Sequence, residues 1–122
     1  MEKKVEQKNY RHLYTTVYFQ NGQTMPTSES RKWIEELAAT LKTSSFLKVR
    51  ILVQGYTDNV GPENYNQHLS EQRASSIRSI LVQGGISPDR VEREGRGEDD
   101  PVADNQSKQG RMLNRVVEML LT

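Results

Sequence analysis

A chain of 122 residues, 34% of them hydrophobic and 27% charged, has room for one domain with a thin core, which favours a single sheet covered by helices. The formal net charge of +1 argues against strong attraction to nucleic acid or to acidic lipid. Without cysteine there is no disulfide, thiolate metal site or thiol-linked lipid, and the two separated histidines suggest no zinc site, so we predict no metal and no cofactor.

The first residues, 1–12, are predicted to be a linker or flexible tail because the run Glu2–Lys8 is charged and poor in apolar residues. β-branched and aromatic residues then predict a strand over Leu13–Phe19, which Asn21-Gly22 ends. No apolar run along the chain is long enough to predict a signal peptide or a membrane-spanning helix.

A helix and the clearest strand of the sequence follow. Thr27 or Ser28 offers an N-cap to the helix. Its apolar stripe consists of Ile34, Leu37, Ala38 and Leu41, with Trp33 at the border. Apolar residues at Leu47, Val49, Ile51 and Val53 then alternate with the polar residues Lys48, Arg50 and Gln54, which predicts the clearest strand of the sequence.

The next helix contains an anomaly. Beyond the turn 58–61 it opens near Pro62, which we place just inside the helix, and it stops at Gly84-Gly85. At 3.6 residues per turn, an arc of about 80° holds the apolar stripe and two polar residues. Its members are Leu69, Ile80, Arg73, Asn66 and Ile77. Arg73 and Asn66 are therefore expected to face the core.

A buried guanidinium is costly without a partner, and the nearest upstream candidate is Asp58. One interpretation is a structural ion pair that ties the turn to the helix. The other is a small binding site that presents a carboxylate, a guanidinium and the amide of Asn66. Such a set suits a ligand that carries both an ammonium and a carboxylate.

The remainder of the chain is more polar. A turn over 87–90 leads into a short strand over Val91–Gly97. The stretch Glu98–Asn114 shows no clear hydrophobic periodicity, although a short helix is predicted over 107–112. The spacing of its aspartates does not match a calcium-binding loop. A last strand is predicted over Arg115–Leu121, with Val117, Met119 and Leu121 on one face. The order is strand-helix-strand-helix-strand-(helix)-strand.

Two stretches carry a family resemblance. The first is Gly55-Tyr56-Thr57-Asp58, then Gly61, then Tyr65-Asn66-x-x-Leu69-Ser70-x-x-Arg73-Ala74. The second is Pro101-Val102-Ala103-Asp104-Asn105, then Gly110-Arg111 and Asn114-Arg115. Together they resemble the C-terminal domain family of outer-membrane protein A, which binds peptidoglycan, and the likeness covers about residues 13–122. Tyr56 replaces a family histidine, and Val116 replaces a second arginine.

The resemblance implies an α+β fold: a two-layer sandwich in which a mixed four-stranded sheet carries helices on one face. It implies that residues 13–122 form a domain of a longer exported protein, located at the periplasmic face of the outer membrane or in the cell envelope. It leaves open whether that protein is porin-like, a lipoprotein, a flagellar stator or a secretion anchor.

The resemblance also implies a partner, the meso-diaminopimelate of the peptidoglycan stem peptide. The ligand-binding residues it implies are Thr57, Asp58, Asn59, Val60, Asn66, Arg73 and Arg115. Asp58 would accept the ammonium and Arg73 would hold the carboxylate, because charge-assisted bonds are strong and the guanidinium fork suits a carboxylate. Asn66 and Arg115 would complete the carboxylate side, and backbone amides near Asn59 and Val60 would add donors.

Two other functions compete with this one. Glu98, Asp99 and Asp100 resemble paired carboxylates for glycan cleavage, but they lie in a polar loop without a signal of a perturbed environment, so we do not predict an enzyme. The alternative function is a structural or protein-interaction module that keeps the fold without binding the wall. The departures at Tyr56, Arg96 and Val116 favour it, although none of them removes Asp58 or Arg73.

Overall fold

The computed structural model describes residues 10, 12–20, 22–99, 101 and 103–122. Most of the predicted linker, together with Asn21, Asp100 and Val102, lies outside the described residues. Strands, numbered along the chain, are β1 (His12–Tyr18), β2 (Ile51–Gly55), β3 (Val91–Gly95) and β4 (Val116–Leu121). Helices are α1 (Ser28–Leu41), α2 (Glu63–Gln83) and α3 (Lys108–Asn114).

The four strands form one mixed sheet in the order β1-β4-β2-β3. Strands β2 and β3 are parallel, whereas β4 runs antiparallel to both β1 and β2. The core lies between this sheet and helices α1 and α2, and it combines the predicted stripe of α1 with alternate residues of the two central strands, such as Val53 and Met119. The predicted α+β fold class and element order are confirmed.

The beginning of β2 was predicted wrongly. Leu47 does not lie in a strand: it follows a short 3-10 helix (Ser44–Phe46), and its side chain is 56% exposed. The strand begins only at Ile51, because that is where its neighbours provide partners, Val91 on one side and Leu121 on the other. Every residue of β2 is buried, so the strand is covered on both faces.

Helix α2 has the predicted polar residues on its inner face. Asn66 and Arg73 are buried with their apolar neighbours on the stripe. Pro62 is the N-cap residue in extended geometry rather than the first helical residue. The helix ends at Gln83, with Gly84 as its C-cap residue, and Gly85 follows with a φ of +110°. Gly55 allows α2 to approach the end of β2, since a Cβ at that position would collide with the backbone carbonyl of Ser70.

The polar stretch before β4 folds around a buried asparagine. Asn114, at the end of α3, donates to the carbonyl of Ala103 (2.9 Å) and accepts from its N–H (2.8 Å). Ser107 caps α3 by accepting from the Gly110 N–H. This arrangement fixes the chain immediately before Arg115, which is the residue that precedes β4.

Candidate functional site

The predicted site residues meet where β2 ends and β4 begins, beside the N-terminal half of α2. Beyond β2, the N–H of Tyr56 donates to the Val116 carbonyl and that of Thr57 donates to the Gly97 carbonyl, each at 2.8 Å, so the sheet pairing continues to the edge of the turn. This pairing holds Asp58 next to Arg115. Helix α2 brings Asn66 and Arg73 to the same place.

Asp58 forms an ion pair with Arg115. The Arg115 Nη1 donates to Asp58 Oδ2 at 3.1 Å, and the backbone N–H of Val60 donates to Oδ1, also at 3.1 Å. The Asp58 side chain is 8% exposed and the Arg115 side chain 20%, so the pair is shielded but reaches solvent on the arginine side. Since Val60 uses its N–H on Asp58, that amide already has a partner in the protein.

Asn66 and Thr57 hold the turn that carries Asp58. The Asn66 Nδ2 donates to the backbone carbonyls of Asp58 (3.3 Å) and Val60 (3.1 Å), and the Thr57 hydroxyl donates to the Asp58 carbonyl at 2.8 Å. Both side chains are buried, whereas Asn59 and Val60 are exposed at the tip. A direct contact of these residues with a ligand stays a prediction; in this structure the two buried ones fix the turn.

Arg73 is fully buried and bonds to backbone carbonyls. Its Nε donates to Gln23 (2.8 Å), its Nη2 to Gln20 (3.2 Å) and its Nη1 to Tyr56 (3.3 Å). The ring of Phe19 lies 5.2 Å from the guanidinium carbon, within cation–π range. The interpretation of Asp58 and Arg73 as a direct structural ion pair is therefore wrong, because Asp58 bonds to Arg115 and Arg73 bonds to carbonyls.

The three charged groups still influence one another. Burial lowers the pKa of Arg73 from its ordinary value to about 10; the charge of Asp58 opposes this shift and that of Arg115 adds to it. Arg73 is thus charged at neutral pH in a place where its contacts are dipoles rather than a carboxylate. With one carboxylate and two guanidinium groups, the cluster has an excess of positive charge, which favours an anionic group of a ligand.

Sequence reasoning missed the segment after β1. Phe19, Gln20 and Gln23 surround the guanidinium of Arg73, two of them through backbone carbonyls. Every residue type has such a carbonyl, so the sequence carries no signal for this role. The sequence pattern predicts Phe19 only as the last residue of the first strand and not as a contact of Arg73.

The described residues of the acidic stretch 98–104 show no comparable cluster of charged groups. Asp104 accepts from the Gln106 N–H at 2.9 Å, which is a local turn bond, and Asp99 is exposed. Within the described ranges, no group of three or more side chains is suited to hold a metal ion. In the same part of the chain, no helix combines the length and the apolar character needed to cross a membrane.

Comparison with known sequences gives a family match. The sequence model of the OmpA family matches residues 18–115. The outer-membrane lipoprotein YfiB of Pseudomonas aeruginosa is 37% identical over 109 residues, which are 89% of this chain and 64% of that protein. Outer membrane protein A of Bordetella avium is 38% identical over 91 residues, or 75% of this chain and 46% of that protein. The chain thus spans less than two thirds of the length of these curated relatives.

Solved structures with the same fold include two envelope proteins. The peptidoglycan-associated lipoprotein from Burkholderia pseudomallei matches with a TM-score of 0.81 and 27% identity, covering 88% of this chain and 89% of that one. The C-terminal domain of Helicobacter pylori MotB matches with a TM-score of 0.77 and 26% identity, covering 88% of this chain and 84% of the other.

Proposed function

The chain belongs to the OmpA family, and from this we propose that it is a non-enzymatic domain that binds peptidoglycan through the diaminopimelate of the stem peptide. In this role it anchors a larger protein of the outer membrane or periplasm to the cell wall. The similarity to a peptidoglycan-associated lipoprotein and to a lipoprotein of the outer membrane supports the proposal. The relatives reported above are named as outer membrane proteins, lipoproteins and MotB, and none of these names is that of an enzyme.

The observation that carries the proposal is a shielded carboxylate beside two guanidinium groups, one of which, that of Arg73, bonds to backbone carbonyls and to no carboxylate of the described residues. The free end of diaminopimelate carries an ammonium and a carboxylate on one carbon. The ammonium fits Asp58, which keeps unused lone pairs on both oxygens. The carboxylate fits the positive side of the cluster, where Arg73 has more N–H donors than its three carbonyl bonds use.

The second candidate is a structural or protein-interaction module that does not bind the wall. The observation in its favour is that both proposed ligand-binding charges are already held within the protein: Asp58 has Arg115 as its partner, and Arg73 is fully buried. In that case the cluster stabilises the fold only, and the departures at Tyr56 and Val116 mark the loss of the ligand.

Co-sedimentation with purified diaminopimelate-type peptidoglycan separates the two candidates. We expect the wild-type protein in the pellet at physiological salt and Asp58→Asn in the supernatant, because the amide cannot neutralise an ammonium. A matched control is Asp89→Asn, which makes the same change at an exposed position on the short 3-10 helix before β3. Wild-type protein that stays in the supernatant would contradict wall binding and favour the second candidate.

A further inference from the structure

The carboxylate that is to receive the ligand's ammonium is occupied in the free protein. Arg115 holds Asp58 Oδ2 at 3.1 Å, and both side chains are largely shielded from water. An arriving ammonium therefore approaches a carboxylate that already has a cation beside it. Like charges in such a shielded place repel more strongly than in bulk water, so an ammonium alone is a poor ligand for this site.

Arg115 has a shielded nitrogen without an acceptor among the described residues, whereas each nitrogen of Arg73 donates to a carbonyl. The Arg115 Nη1 bonds to Asp58, and the nitrogen without an acceptor is Nε. Arg73 is held by carbonyls of two chain segments and by the face of Phe19, so it is fixed in place. Of the two guanidinium groups, Arg115 is therefore the one whose side chain reaches solvent, and its Nε would gain an acceptor from a new anion.

We propose that Arg115 determines ligand specificity by exchanging its ion pair with Asp58 for an ion pair with the ligand's carboxylate. This exchange leaves Asp58 available to the ligand's ammonium. This proposal rests on the proposed function. In the bound state the charges alternate around a ring: Asp58, the ammonium, the ligand's carboxylate and Arg115. A ligand that lacks the carboxylate leaves Arg115 and the ammonium in competition for one carboxylate. The site therefore selects for an ammonium and a carboxylate on the same carbon and rejects simple amines.

The assignment leads to an unusual expectation for Arg115→Gln. Removal of an ordinary binding residue weakens every ligand. Removal of Arg115 should weaken the ligand that carries a carboxylate but strengthen one that offers only an ammonium, because Asp58 loses its internal competitor. A loss for one ligand combined with a gain for another is a result that general unfolding of the site does not produce.

The test uses three synthetic stem peptides that differ at one residue. One carries diaminopimelate, the second carries diaminopimelate whose free carboxylate is a carboxamide, and the third carries lysine. Calorimetric titration of each peptide into wild-type protein and Arg115→Gln gives six affinities. Arg111→Gln is the matched control, because it also removes one positive charge. The Arg111 guanidinium lies on α3 and bonds to the Asn105 carbonyl rather than to Asp58.

We expect the preference for diaminopimelate over its carboxamide to fall about tenfold in Arg115→Gln, the equivalent of about 1.4 kcal/mol, and to persist in Arg111→Gln. The carboxamide and lysine peptides should bind Arg115→Gln more tightly than they bind wild type. An unchanged preference in Arg115→Gln would overturn the assignment while leaving wall binding intact. Failure of wild type to bind any of the three peptides would overturn the proposed function and this assignment with it.

A second measurement does not depend on the variant's stability. In wild-type protein, the Nε–H resonance of Arg115 should shift on addition of the diaminopimelate peptide, because this donor gains an acceptor, and should stay in place with the carboxamide peptide. The Val60 amide resonance reports whether Asp58 remains in position, since that N–H bonds to the other carboxylate oxygen. An Arg115 Nε–H resonance that does not shift with either peptide would refute the proposed exchange of partners by Arg115.

Discussion

Replacing Arg73 with alanine should destabilise the fold, whether or not the domain binds a ligand. The substitution removes a fully buried side chain whose guanidinium bonds to three backbone carbonyls in two segments of the chain. It leaves the carbonyl of buried Tyr56 without this donor, and it frees the segment that contains Gln20 and Gln23 from α2. Loss of Arg73 thus affects the link between the end of β1, the end of β2 and the second helix.

The structure sets the magnitude. A hydrogen bond to a charged group contributes about 1.5–3 kcal/mol to the unfolding free energy, and a buried acceptor left without its donor costs about 1–3 kcal/mol. Two of the three carbonyls belong to exposed residues, Gln20 and Gln23, and can turn to water, so the loss comes mainly from the Tyr56 carbonyl and should be about 3 kcal/mol. An exposed arginine gives a contrast. Arg31→Ala, which removes a side chain whose partner Glu35 is also exposed, should lower the unfolding free energy by less than about 1 kcal/mol.

Urea unfolding followed by circular dichroism measures both variants. The unfolding free energies should be compared between variants that have the same m-value, the slope of the unfolding free energy against urea concentration. A changed m-value would indicate a change in the unfolded or native ensemble instead. A loss below about 1 kcal/mol for Arg73→Ala would refute the reasoning, since it would mean that the carbonyl bonds of the buried guanidinium do not hold the three segments together.

Three further predictions concern residues around the site. Asp58→Asn should lose the peptidoglycan pull-down at a cost of only about 1–2 kcal/mol in urea unfolding, because its amide still accepts from the Val60 N–H. Gly55→Ala should lower the unfolding free energy by about 1–3 kcal/mol, because the new Cβ collides with the Ser70 carbonyl. Burial raises the pKa of Glu118, so its contribution to stability is present at low pH and is lost as pH rises through the raised value; Glu118→Gln should flatten that part of a pH series of urea unfolding.

Each of these has a result that would contradict it. A pull-down that survives in Asp58→Asn would remove the carboxylate from the binding mechanism. Unchanged stability of Gly55→Ala would show that α2 does not need close contact with β2. A pH series that is identical for wild type and Glu118→Gln would show that this carboxyl does not titrate differently in the folded and unfolded chain.

The helix pattern predicted which polar residues of α2 face the core, because a guanidinium in an apolar stripe is conspicuous in the sequence. Arg73 and Asn66 are buried where the 3.6-residue period places them. Their partners were not predictable in the same way. Arg73 bonds to carbonyls, which carry no sequence signal, and the Asp58–Arg115 pair joins residues 57 positions apart that only the sheet pairing brings together.

The misplaced start of β2 has a similar cause. Alternation over Leu47–Val53 describes which residues favour a pleated surface, but a strand also needs a neighbour. The partner strands reach only as far as Ile51, and before it the chain is held instead by Arg90, which donates to the carbonyls of Phe46 and Val49. Local periodicity contains no information about where a partner strand begins.

A crystal structure of the domain with a diaminopimelate stem peptide would test the proposed binding mode at the level of atoms. We predict the peptide's free ammonium within about 3 Å of the Asp58 carboxylate, the distance of a charge-assisted hydrogen bond. The adjacent carboxylate should contact Arg115, with Arg73 on the same side. A peptide bound at another surface, with the Asp58–Arg115 ion pair unchanged, would contradict the binding mode proposed for this domain.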